Sequence, residues 1–290
     1  VHLQINGKSD YGNYIFFHFI FSFGLLLNLG INKIVVIEVA KKKFLEELIK
    51  QSLKISLNIV FIIIVINSIL IFIFEKYFIF LSIVTGLSLT VIYLTLEGIL
   101  QGFKKFKLLS IVNFIFYTLS LNLPSIYLSI NSTLNFKSLI IFSIFFKLIS
   151  ILIILFCLRR YFKFNYNKNV KYNFFLKFKK YSKWYSLHML NLQIFDFVDK
   201  YLIKIFIGPI ALAIYSIPHQ LAGKLTILSK SISAVLLPEI SNNSEKTNFN
   251  HSLNIFVFFI PVFILIIFPF LDKILILWLQ DQYSIKILEL

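Results

Sequence analysis

The sequence predicts an all-α fold, a polytopic transmembrane helix bundle of about eight spanning helices, and three observations predict it. Hydrophobic residues fill 58% of the 290 positions and charged residues only 14%, with a mean hydropathy of +0.85, far outside soluble globular composition. The apolar residues fall in runs of about 20, the length that crosses a hydrocarbon core of roughly 30 Å. Those runs lack the polar/apolar alternation of a membrane strand, which leaves helices to satisfy the backbone in lipid.

The runs cover residues 13–36, 53–74, 78–100, 108–130, 136–158, 184–207, 210–236 and 252–271. The first follows a polar stretch, VHLQINGKSDYG, with no signal-peptide pattern and no initial Met, so a partial chain is expected. Alternate connections are basic: Lys41, Lys42, Lys43, Lys50 and Lys54; Lys104, Lys105 and Lys107; and the acid-free stretch from Arg159 to Lys183. The connections between them, at 75–77, 131–135 and Gly208-Pro209, are short and nearly neutral. Basic loops stay in the cytoplasm, so the net charge of +16 is a topology signal and no nucleic-acid partner is expected. Phe162, Phe164, Tyr166, Tyr172, Phe174, Phe175 and Phe178 alternate with lysines in the third basic loop, a composition suited to anionic membrane lipids. Pro124, Pro218, Pro261 and Pro269 are expected to kink or end helices. One cysteine, Cys157, excludes an intrachain disulfide, and no Cys/His cluster has zinc spacing, so neither metal nor cofactor is expected.

Within the sixth run, FDFVDKYLIKIFIG, Asp196, Lys200 and Lys204 recur at i, i+4, i+8 with Asp199 beside them. A charge near the bilayer centre costs at least ~2.5 kcal/mol. Two readings stay open: a self-neutralising Asp196–Lys200 pair with Lys204 reaching the interface, or a polar face on a hydrated cavity that attracts an anionic group. Lys33, Lys147, Lys224, Lys230 and Glu97 are further embedded charges; Lys224 follows Pro218 well inside the seventh run. His188 and His219 are read as packing residues before proton carriers. No nucleophile triad, phosphate loop or carboxylate pair stands at useful spacing and the outer loops are short, so no enzyme is expected.

SDYGNYIFF and GPIALAIYS form a faint internal echo, as expected for two halves related along the membrane normal. The run from Asp196 to Ser241, with Asp199-Lys200, a Gly-Pro turn, Tyr215-Ser216 and Leu237-Pro238-Glu239, resembles the seventh and eighth helices of the bacterial polysaccharide flippases. These are the Wzx-type members of the multidrug/oligosaccharidyl-lipid/polysaccharide exporter superfamily. The opening SDYGNYIFF, the Leu-Gly break in NLGINKIVVIEVAKK and its Glu-Val-Ala exit are similar to that family's second helix. LQGFKKFKLLSIVN at 100–113 is similar to its loop after the fourth. The family has twelve or more helices, so its first and those after the ninth are expected to be missing, and a basic residue common before Glu-Val-Ala is Ile37 here.

The resemblance implies an alternating-access transporter with an N-terminal bundle (1–158), a basic cytoplasmic linker (159–183) and the start of a C-terminal bundle (184–290). It implies translocation of an undecaprenyl-pyrophosphate-linked oligosaccharide across the bacterial inner membrane for surface polysaccharide biosynthesis. Lys200, Lys224, Lys33, Asp199, Asp196 and Lys147 are the expected cavity residues, and Asp199 and Glu97 the candidates for coupling to H+ or Na+. A drug/cation antiporter or lipid II flippase of the same superfamily, and a non-transporting remnant or scaffold, are the alternatives.

Overall fold

The computed structural model describes residues 8–41, 45–74, 77–124, 136–159 and 174–213, with isolated positions at 215, 216, 219, 223, 237 and 269. The first expected span is broken into α1 (Lys8–Ser22), α2 (Gly24–Leu27) and α3 (Ile31–Ala40). The halves before and after the break differ in direction by 51°. Leu29 and Gly30 cause it, with φ of 51° and 78°, since neither left-handed residue continues a right-handed helix. A side chain at Gly30 would also collide with the Tyr185 ring, 2.6 Å away. Asn28 holds the bend together: its Nδ2 donates to the Val91 carbonyl at 3.3 Å and to Thr95 Oγ1 at 3.1 Å, while its Oδ1 accepts the Asn32 N–H at 3.0 Å. The side chain thus supplies an acceptor for the Asn32 N–H and ties the bend to α5.

Five further helices follow among the described residues. α4 (Leu45–Phe74) and α5 (Tyr77–Gly102) pack along each other. α6 (Phe106–Asn113) runs on through a π-helical turn, Phe114–Leu119, to Pro124, and the expected proline stop lies at the last described residue. α7 (Phe136–Leu158) and α8 (Phe174–Phe206) complete the order. No strand occurs among the described residues. α4, α5, the run Phe106–Pro124 and α7 are each long and apolar enough to cross a membrane, and the bent α1–α3 set makes a fifth candidate. The protein is therefore a multi-pass helical membrane protein.

The core lies on α5. Ile31, Val35 and Val39 of α3, Leu48 of α4, and Tyr93, Leu96 and Ile99 of α5 are shut away from solvent in one cluster that also takes in Phe174 and Phe178 of α8. The opposite face of α4 exposes Phe61, Ile62, Ile66, Ile69 and Phe72, as a lipid-facing surface requires.

α8 departs from expectation at its start. It begins at Phe174 rather than 184, inside the stretch read as linker, because Phe174 and Phe178 find a place in the core cluster. The spans expected at 210–236 and 252–271 lie outside the described residues apart from isolated positions.

Because Asn28 ties the bend to α5 and satisfies the Asn32 N–H beyond it, Asn28→Ala should destabilise the bundle by about 0.5–2 kcal/mol. The check is the midpoint of unfolding in a mixed-micelle detergent titration, which should fall; an unchanged midpoint removes this role.

Candidate functional site

α1 presents two faces. At about 100° per residue, Tyr14, His18 and Phe21 share one side of the helix, while Phe16 and Phe19 share the other with Phe23 just beyond its end. A buried lysine meets each side.

On the first side, Tyr14 donates its hydroxyl hydrogen to the Ser120 carbonyl at 2.7 Å. His18 Nε2 lies 3.0 Å from Ser143 Oγ of α7. One turn further along α7, Lys147, only 4% exposed, places its Nζ 4.5 Å from the Phe21 ring centre and 5.0 Å from that of Phe116. Rings of negative face stabilise a desolvated ammonium by about 2 kcal/mol. Lys147 is thus held among α1, α6 and α7.

On the second side lies the charged third of α8. Lys200 is fully buried, with its Nζ 4.2 Å from the Phe19 ring centre. Lys204, one turn on, sets its Nζ 3.7 Å from the Phe16 ring centre. Phe197 and Tyr201 stack beside Phe16, and Phe23 meets Phe197 edge-on. Ser22 donates to Gln193 Oε1 at 2.9 Å. Asp199 accepts the Tyr215 hydroxyl at 2.9 Å. The Tyr215 ring stacks on His219, which in turn meets Phe19 edge-on. Lys200, Lys204, Asp199, Tyr215, His219 and the α1 rings thus form one continuous group. Gly12 permits the approach behind it: a Cβ there would lie 2.0 Å from the Pro209 carbonyl oxygen.

The remaining expected residues fall elsewhere. Lys33 of α3 belongs with Glu97 of α5, close enough for their charges to interact, and Glu97 Oε1 also accepts Asn113 Nδ2 at 3.2 Å. Tyr93 donates to Asn113 Oδ1. This second polar group therefore joins α3, α5 and the α6 run. Lys224, Lys230 and the side chain of Asp196 lie outside the described residues, and His188 is exposed on α8. No cluster of metal-ligating side chains occurs among the described residues.

Sequence reasoning missed a third group. Glu38, nearly buried in the Glu-Val-Ala exit of α3, pairs with Lys41 at 2.9 Å and with Lys177 of α8 at 2.5 Å. Beside it the Phe174 N–H donates to Gln51 Oε1 at 2.8 Å. The signal was present in the motif, but its partner is 139 positions away.

Residues 6–244 match a family model described as polysaccharide biosynthesis protein. A Shigella flexneri protein named "Putative O-antigen transporter" is 24% identical over 195 residues, which cover 66% of this chain and 46% of that protein. The chain thus spans about half the length of this curated relative. No solved structure matches.

Glu38 ties the start of α8 to α3, so Glu38→Gln should loosen that end alone. Amide hydrogen exchange should rise about tenfold or more across 174–180, as expected when a buried ion pair loses one partner, and stay unchanged across 190–206. Equal exchange in variant and wild type contradicts the tie.

Proposed function

This chain belongs to the polysaccharide biosynthesis protein family, and from that premise we propose that it acts in a flippase. The cargo is an undecaprenyl-pyrophosphate-linked oligosaccharide, moved from the cytoplasmic to the outer leaflet of the bacterial inner membrane for surface polysaccharide biosynthesis. The observation that carries this reading is Lys200: a fully buried ammonium on a long helix, facing α1 rather than lipid.

The chemistry follows from charge. A pyrophosphate carries its negative charge on oxygens that accept hydrogen bonds from an ammonium held as a point charge. Lys200, with Lys224, would hold that group or acidic sugars, while the polyprenyl tail stays in lipid. The aromatic faces of Phe16 and Phe19 help to stabilise the cations of α8. Asp199, held by Tyr215, orients the neighbouring Lys200 or exchanges a coupling cation, H+ or Na+. Glu97, beside Lys33, is the second coupling candidate.

Alternating access would be a rocking of two bundles about this site. α1 and α8 meet at the centre of that movement. Exposed Lys41, Lys50, Lys54, Lys104, Lys105 and Lys107 mark the cytoplasmic side, where the loaded lipid enters.

The test is translocation of a labelled lipid-linked oligosaccharide in proteoliposomes by the full 290-residue chain. Lys200→Ala with Lys224→Ala should cut the initial rate at least about tenfold, the loss expected for one charge-assisted contact of ~1.5–3 kcal/mol. Lys200→Arg should keep part of the rate. An unaltered rate in the folded double variant removes the cationic site, and no translocation by the folded wild type overturns the flippase reading.

A further inference from the structure

At about 1.5 Å per residue the 33 residues of α8 span roughly 50 Å, well beyond a hydrocarbon core of about 30 Å. The turn at Gly208-Pro209 closes the helix just after Phe206, and although the run 184–207 is expected to span, α8 is not among the helices apolar enough to cross a membrane; its Phe174 end is the basic one. That end is two-faced. Phe174 and Phe178 enter the core, and Lys177 is held by Glu38. The side turned away from these carries exposed Lys179, Lys180 and Lys183, and exposed Phe175, Tyr181 and Trp184 flank it around the rest of the helix, the last with 73% of its surface open.

The exposed lysines and rings are paired. Lys180 Nζ lies 5.8 Å from the Tyr181 ring centre and Lys183 Nζ 5.9 Å from that of Trp184. No acidic residue occurs between Arg159 and Phe195, so nothing in this part of the sequence competes for the cations.

We propose that this face of α8 is a binding surface for anionic phospholipid headgroups. Three ammonium groups within five residues match a layer of lipid phosphates, and Trp and Tyr rings settle at the headgroup level where one edge is apolar and the other wet. Docking of the opposite face through Phe174, Phe178 and Lys177 fixes the helix, so the lysines are presented together rather than singly. This assignment stands apart from the identity of any transported cargo.

The chain has two tryptophans, Trp184 and Trp278, which gives a direct readout. The full chain carrying Trp278→Phe is reconstituted in phosphatidylcholine vesicles containing a low, equal fraction of brominated phosphatidylglycerol or brominated phosphatidylcholine. The brominated anionic lipid should quench Trp184 about twofold more strongly or better, and the preference should weaken in high salt. Replacing Lys179, Lys180 and Lys183 together by Gln should abolish it in protein that remains monodisperse. If Trp278→Phe fails to fold, the same difference is read between wild type and Trp184→Phe. Equal quenching by the two lipids, quenching by neither, or a preference that survives the triple replacement overturns the proposal.

Discussion

Two lysines buried on opposite sides of α1 set the terms for the rest of the structure. An ammonium shut away from water is costly, about 2.5–3.5 kcal/mol at a bilayer centre, and each of these meets an aromatic face worth about 2 kcal/mol to a desolvated cation. Lys147 rests on Phe21 and Phe116, and Lys200 on Phe19. The arrangement requires α1 to be aromatic on both sides, which it is. It also requires α7 and α8 to approach α1 closely with their charged positions turned inward. A chain with 35 Phe has rings to spare, but those at 16, 19 and 21 have a stated task.

The two sides differ in what they can do. Lys147 is enclosed by α1, α6 and α7, elements that pack on the same α5 core. Lys200 sits where α8 meets α1, with Gly12 against the Pro209 carbonyl at one end of α8, and Phe174 and Phe178 in the core beside the Glu38–Lys177 and Gln51–Phe174 contacts at the other. Ion pairs and single hydrogen bonds exchange partners more readily than a packed core. On the proposed function, a movement that admits an anion to Lys200 would fall at the α1–α8 contact.

Much of this was legible in the sequence because it is local. Apolar runs of spanning length gave the helices, and i, i+4 spacing put Lys200 and Lys204 on one face. The Leu-Gly pair marked the break that Asn28 then stabilises. What was not legible is non-local. Nothing near Asp199 says that Tyr215 will reach back across a Gly-Pro turn to it, and nothing near Glu97 names Asn113 as its donor. The early start of α8 was hidden for a different reason: Lys and Phe alternate there without an apolar run, and the helix is stabilised by docking on the core rather than by its own pattern.

The central claim is that Lys200 serves an anion in the α1–α8 contact, and equilibrium binding of undecaprenyl pyrophosphate to the purified chain tests it most directly. Lys200→Gln should raise the dissociation constant about tenfold or more, while Lys50→Gln, on the exposed basic end, should change it less than about twofold. Equal affinity of wild type and Lys200→Gln, with both folded, would contradict the account.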